Sequence, residues 1–263
     1  MKISIITTSY NSAGTLRDTM ESVLRQGYTD YEYIVVDGAS KDGTVDIIRE
    51  YEPRFEGRMR WVSEPDHGIY DAMNKGVAMA TGDVVGLLNS DDFYTSDDIL
   101  STVAREFATP EAPDAVYGDV HYVDEKDITK VVRYYSSRNF TRKRMCMGYM
   151  PAHPSFYVRR ECYEKYGSFD TSFRVAADFE NLLRLIYINK IRIHYIEKDF
   201  VAMRMGGASS SGLSSYLRIV ADHFAAFQKN GLRPRYILYF LRYVLKVLEF
   251  SKKNRKKVQH YNP

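Results

Sequence analysis

Ala80–Phe93, ATGDVVGLLNSDDF, decides the fold. The apolar run Val84-Val85-Gly86-Leu87-Leu88 stops abruptly at Asn89, Ser90, Asp91 and Asp92. A short apolar run bounded by polar turn residues predicts a buried strand, here one that delivers two adjacent carboxylates to its C-terminal end. In open parallel α/β sheets that end is where ligands bind. Two neighbouring carboxylates repel unless a cation or hydrogen-bond donors offset their charge. A divalent ion with hard oxygen ligands, Mg²⁺ or Mn²⁺, would do so while also holding a diphosphate. The plainer reading is that one of the two caps the helix that follows, since Asp is a preferred cap.

Outward from that stretch, the first part of the chain alternates strand and helix patterns. Strands are predicted at Lys2–Thr7, Tyr31–Val36 and Met59–Ser63. Helices are predicted at Ser12–Gln26, Thr44–Tyr51 and Ile69–Ala80. Such alternation implies parallel strands joined by crossover helices, a Rossmann-like nucleotide-binding half. The second part is less regular. Strands are expected at Asp114–Val123, Ile128–Tyr135, Ser155–Arg159, Ile191–Ile196 and Phe200–Met205, with helices at Glu161–Tyr166 and Asp178–Asn189. Gly206–Ser215 reads as a Gly/Ser loop, a lid or a linker, ahead of a helix over Tyr216–Asn230. The organisation expected is one domain over 1–231 and a basic amphipathic helix and tail over 232–263.

Composition narrows the classes. With 44% hydrophobic and 27% charged residues in 263, the chain reads as an ordinary globular protein. No apolar run reaches membrane-spanning length, and MKISIIT enters a strand without a signal-peptide pattern. Cys146 and Cys162 show no metal-ligand spacing, so a reduced cytoplasmic protein is expected. The net charge of +3 hides an asymmetry: Leu232–Pro263 has nine basic residues and one acidic, while the body is net acidic. In Arg235–Phe250 the charges fall on one narrow helical stripe, and SKKNRKK follows. Such a helix and cluster suit an anionic membrane surface, and a helix packed on protein is the alternative. An acidic body without a recognition motif argues against nucleic acid.

Candidate site residues gather at strand ends. TTSYN (Thr7–Asn11) follows the first strand, and its hydroxyls and helix start can hold a nucleotide. DGASKDGT (Asp37–Thr44) follows the second, where Asp42 or Ser40 serves as cap and leaves Asp37 free. SEPDHG (Ser63–Gly68) follows the third; Asp66 and His67 there either touch a donor or form a surface turn. Asp71, Asn74 and Lys75 share a polar helix face, with Asn74 the better candidate for a ligand. Asp178, in VAADFE, either caps its helix or acts as an isolated acid. His153, in PAHP, lines an acceptor side, touches a metal, or is structural. The other histidines have no zinc spacing.

In this order, ITTSYNS, IVVDGASKDGT, SEPDHGIYDAMNKG, LNSDD and AADFENLLRL resemble the family 2 inverting glycosyltransferases of the GT-A fold, over Lys2 to about Met205. The SEPDHGIYDAMNKG form resembles a subgroup that builds bacterial surface polysaccharides. The resemblance implies a sheet of mostly parallel strands with an acceptor-side half and C-terminal helices. It implies that Thr8, Tyr10 and Asn11 line the base and ribose, that Asp37 bonds the base, and that Asp66 and Asn74 lie on the donor side. Asp91 would face ribose or metal, Asp92 would ligate Mn²⁺ or Mg²⁺, and Asp178 would be the base. Many members have Asp where this chain has Asn89. The implied partners are a nucleotide-sugar, UDP being the family's commonest donor nucleotide, and a glycan or lipid-linked acceptor at the cytoplasmic face of a membrane. The competing reading is a catalytically silent nucleotide-sugar-binding or membrane-tethering module. A dehydrogenase lacks support, since no G-x-G-x-x-G follows the first strand.

Overall fold

The computed structural model describes residues 1–206, 212–234, 236–237 and 239–241. Strands β1 (Ile3–Ser9), β2 (Tyr31–Asp37), β3 (Met59–Ser63) and β4 (Val84–Leu87) pair in parallel in the order β3-β2-β1-β4. Their crossovers are α1 (Leu16–Leu24), α2 (Thr44–Tyr51) and α3 (Ile69–Met79). All seven positions of β1 and of β2 are buried. Both faces of a parallel sheet are covered by helices, so its strands carry near-continuous apolar runs. Alternate residues serve two cores: Ile6, Ile34 and Val36 on one face, Ile5, Tyr33 and Val35 on the other.

The second half extends this sheet with mixed polarity. Its elements are β5 (Phe93–Tyr94), α4 (Ile99–Phe107), β6 (Ala115–Val123), β7 (Val131–Tyr135), β8 (Tyr157–Arg159), α5 (Arg160–Tyr166), α6 (Ala177–Leu182), β9 (Ile193–Arg204) and α7 (Gly212–Lys229). Past β4 the order continues β8-β6-β9-β5, with β7 pairing antiparallel to the C-terminal part of β6 beyond β8. β8 is antiparallel to both β4 and β6, which makes β6 run in the same direction as β4. β9 is parallel to β6. The C-terminal ends of β1, β2, β3, β4, β6 and β9 therefore point toward one edge of the sheet. Gly86 lets β8 approach β4: a Cβ there would lie 2.3 Å from the Tyr157 ring.

The opposite edge is pinned by Glu32. Its buried carboxylate accepts from Ser4 Oγ (2.6 Å), Thr81 N (2.6 Å), Gly82 N (3.1 Å), Lys2 Nζ (3.0 Å) and Arg60 Nη2 (2.8 Å). Burial opposes its ionisation, but the donors from Ser4, Thr81 and Lys2 outweigh that and hold its pKa down to about 2.

Two elements differ from the sequence expectation. The two short strands expected over Ile191–Met205 are one strand, β9, running through Lys198-Asp199 because Asp199 meets His121 Nδ1 of β6 at 2.5 Å. The helix expected over Asp178–Asn189 is α6 continued by a π-helical turn, Leu183–Ile188. α7 starts at Gly212, inside the expected Gly/Ser loop, and residues 207–211 lie outside the described residues. So does 242–263, the larger part of the expected amphipathic tail.

Candidate functional site

Asp37 closes β2 in register with Ser9 of β1 and Ser63 of β3. The register brings three strand ends to one level, and the carboxylate fastens them. Oδ1 accepts from Ser9 Oγ (3.0 Å) and Ser40 Oγ (2.5 Å), Oδ2 from Ser40 N (2.9 Å) and Ser63 Oγ (2.7 Å). With no exposed surface and two donors on each oxygen, Asp37 holds the site together and presents nothing to the cleft.

The loops after β1 and β2 are zipped to each other. Asn11, at φ 50°, donates its N–H to Ser40 Oγ (2.7 Å) and accepts from Lys41 N through Oδ1 (2.9 Å). Ser12 N donates to Thr44 Oγ1 and Ala13 N to Asp42 Oδ2. Asp42 also caps α2 by accepting from Thr44 N (3.1 Å). Asn11 thus joins the two loops through its main-chain N–H and its side-chain oxygen. Thr8 is buried, while Tyr10 leaves 67% of its surface exposed. Beside Tyr10 lies Asp66. A Cβ on Gly38 would meet Asp66 Oδ2 at 2.5 Å and the Tyr10 ring at 3.2 Å, so only glycine leaves this notch open. Asp66 Oδ1 accepts from Gly68 N (2.8 Å), and Oδ2 has no hydrogen-bond partner among the described residues. The notch therefore offers a ring to stack on and an oxygen that accepts an N–H.

At the end of β4 the acidic turn folds back on itself. Asp92 N donates to Asn89 O (3.1 Å), and Asn89 Nδ2 donates to Asp92 Oδ2 (2.9 Å). Ser90 is tied to α1 through Ser12 Oγ (2.8 Å) and Thr15 Oγ1 (2.8 Å). Asp92 is 2% exposed, whereas Asp91 is only partly buried, so Asp91 is the accessible member of the pair. Burial, then the charge of Asp91, pushes the Asp92 carboxyl well above the ordinary carboxylate range; burial raises Asp91 as well. The local cation is Arg204, at the end of β9. Its Nε donates to Asp91 O (3.1 Å), its guanidinium pairs with Asp18, and it lies over the Phe93 ring. No cluster of three or more His, Cys, Asp or Glu suited to a metal occurs among the described residues. Two crowded carboxylates fit the way Mg²⁺ and Mn²⁺ bind in phosphate sites, through one or two carboxylates plus substrate oxygens.

A third group forms the wall of the cleft on α3 and α6. Asp178 is the second residue of α6; Ala176 is the cap, so the capping reading of Asp178 does not hold. Its Oδ1 accepts from Phe179 N (2.8 Å) and Tyr70 OH (3.3 Å), and Oδ2 has no partner among the described residues. Tyr70 OH also donates to Val175 O (2.6 Å), and its ring stacks on Phe169 at 6.0 Å. Asn74 clamps Phe169 by accepting from its N and donating to its O, both at 2.8 Å. Asn74 therefore braces this wall. His153 packs its ring edge-on to Phe169 at 5.7 Å. Burial lowers its pKa, and the charge of nearby Asp178 partly opposes that.

Sequence reasoning missed Arg204, Tyr70 and Phe169. Arg204 and Phe169 carried no motif, and Tyr70 sat inside a motif read for its polar residues. A helical tyrosine adjoining the SEPDHG turn was the one signal available.

A mostly parallel sheet whose strand ends gather an aromatic notch and an acidic turn, with an isolated acid on the facing helix, is an α/β fold with its candidate site where such sheets bind ligands. Comparison with known proteins gives the class its name. The profile of Glycosyl transferase family 2 matches residues 4–172. A PGL/p-HBAD biosynthesis glycosyltransferase of Mycobacterium bovis is 33% identical over 181 residues, 69% of this chain and 68% of its own. An uncharacterized glycosyltransferase of Mycobacterium tuberculosis is 32% identical over 235 residues, 88% of this chain and 87% of its own. Among solved structures, S. aureus TarS 1–349 in complex with UDP-GlcNAc superposes with TM-score 0.69 at 19% identity, covering 90% of this chain and 69% of that one. A Pyrobaculum calidifontis mannosyltransferase in complex with GDP-Man and Mn²⁺ gives 0.61 at 19% identity, covering 96% and 81%. The chain belongs to glycosyl transferase family 2 and has the GT-A fold.

Proposed function

We propose that this glycosyltransferase moves a hexosyl or related sugar from a UDP-sugar to a hydroxyl of a glycan or lipid-linked acceptor, with inversion, in surface-polysaccharide assembly. The observation that carries the reading is Asp178: a half-buried carboxylate held through one oxygen, with the other unengaged in the wall between α3 and α6. In this reading Tyr10 stacks on the nucleobase and Asp66 Oδ2 accepts an imide N–H. Asp91, assisted by Asp92, would hold a divalent ion, and that ion would supply Lewis-acid stabilisation of a departing diphosphate. Arg204 fixes the turn that carries both acids. Asp178 Oδ2 takes the acceptor proton as the hydroxyl oxygen bonds to the anomeric carbon and the bond to the diphosphate breaks. One displacement with one base inverts the configuration. His153, kept uncharged by burial, completes the acceptor wall. The enzyme works at the cytoplasmic face of a membrane, where a lipid-linked acceptor is available.

Calorimetric titration of UDP, GDP, TDP and CMP with and without Mn²⁺ tests the donor half. Mn²⁺-dependent binding of one nucleotide, lost in Asp91→Ala, supports it; binding of none overturns it. Asp178→Asn tests the chemistry, with transfer abolished and donor binding retained.

A further inference from the structure

A second basic region lies in the body of the chain. From Ile128 to Arg160 there are eight arginines and lysines and no aspartate or glutamate, while the rest of the first 231 residues has 20 basic against 33 acidic. Part of this segment is a 3₁₀ stretch, Arg142–Met147. Fold topology sets that stretch against the start of the basic C-terminal segment: Cys146, Tyr187, Phe227, Leu232 and Arg233 wall one cavity of about 130 Å³. Two positive regions far apart in sequence thus adjoin.

Their charges face outward. Lys143 and Arg233 are exposed, and neither is paired with a carboxylate among the described residues. Arg142 Nη2 donates to Ile191 O, which leaves its charge uncompensated by any described acid. Next to Arg233 the chain exposes apolar side chains: Ile237 is 86% exposed, and Tyr236, Phe240 and Leu241 are also exposed. Ring contacts of Phe224 with Tyr236 and Phe240 hold that group on α7.

We infer that Arg142, Lys143 and Arg233, with Tyr236, Ile237, Phe240 and Leu241, form the surface that docks on an anionic lipid bilayer. Cations attract the headgroup phosphates, and exposed aliphatic and aromatic side chains enter the headgroup boundary. A soluble polyanion would satisfy the cations and leave Ile237 and Leu241 in water, so a bilayer is the better match. The same segment continues from Arg142–Met147 through Met150 to His153 in the acceptor wall, which brings a membrane-held acceptor toward Asp178. The inference rests on the lipid-linked acceptor reading and locates it on the molecule.

The test is co-sedimentation of the full chain with vesicles of phosphatidylcholine alone, or mixed equally with phosphatidylglycerol, at low and high salt. The wild type sediments with the anionic vesicles, less so at high salt, and poorly with neutral ones. Lys143→Glu/Arg233→Glu weakens anionic binding by at least about tenfold, from roughly fivefold per basic residue near such a surface. Ile237→Ser weakens the binding that survives high salt. Equal binding to neutral vesicles, no binding to either, or unchanged partitioning of the double variant overturns the inference. The last result would assign the whole effect to residues beyond 241. Nucleotide titration of the same samples reports the donor site separately, so failure of the docking surface is not confused with failure of the transferase reading.

Discussion

Replacing Asp37 by Asn separates two roles that both predict a damaged enzyme. If Asp37 bonded the nucleobase, the variant would keep its stability and lose affinity. The geometry predicts the reverse order of effects. Four donors reach the carboxylate, and three of them are serine hydroxyls that can rotate. Ser40 N cannot, so an amide must keep its oxygen toward Ser40 N and turn its NH₂ toward the hydroxyls of Ser9 and Ser40. Both of those hydroxyls lose their acceptor and can only accept from the NH₂, and the remaining bonds drop from charge-assisted to neutral. At about 0.5–1 kcal/mol for each of the four, the cost is about 3 kcal/mol. For a chain of this size that lowers Tm by roughly 6–12 °C. Differential scanning fluorimetry of Asp37→Asn and Asp37→Ala, beside UDP titration at a temperature where both are folded, is the assay. Asp37→Ala should fall further, since it leaves four buried donors unmet. An unchanged Tm with abolished nucleotide binding would refute the clasp and restore the direct contact.

Other outcomes follow from the same geometry. Asp178→Asn should cut transfer by about 10²–10⁴-fold with nucleotide affinity unchanged, read from initial rates and calorimetry. Tyr10→Ala should weaken nucleotide binding by about 1–3 kcal/mol with no change in Tm, because the ring is largely exposed. Glu32, with its folded pKa depressed to about 2 from 4.5, contributes stability that is present above the unfolded value and lost as pH falls through the folded one. Urea denaturation should therefore show the wild type losing about 3 kcal/mol more than Glu32→Gln between pH 5 and pH 2.

The donor half was legible because its signals are local. Buried parallel strands leave apolar runs, and each run ends in the polar residues that the sheet edge displays. Asp91, Asp92 and Asp66 were visible as acids at such ends, and Asp178 as an isolated acid at the start of a helix. What each acid does depends on partners from far along the chain. Asp37 is filled by Ser9 and Ser63, 28 and 26 residues away, and nothing in DGAS announces that both arrive in register. Asp91 and Asp92 read alike in sequence, yet one is accessible and the other faces Asn89. Lys198-Asp199 looked like a turn because a polar pair in a strand needs a partner, and His121 of β6 was not predictable from spacing. Asn74 stood out on its polar helix face, but the Phe169 backbone it clamps lies 95 residues on and no spacing announces it.

β9 also sets an order of assembly. The strands β1 to β4 pair within the first 87 residues, through crossovers that close short loops. The acidic turn that follows them is incomplete at that stage. β5, the two residues immediately after it, pairs with Val201 and Ala202 of β9, and Asp91 O waits for Arg204. Contacts across more than a hundred residues form late, because the chain must first lose the entropy of a long loop. A growing chain would thus hold a formed notch at Tyr10 and Asp66 before it has a fixed acidic turn, and the complete site would arrive only with the last strand.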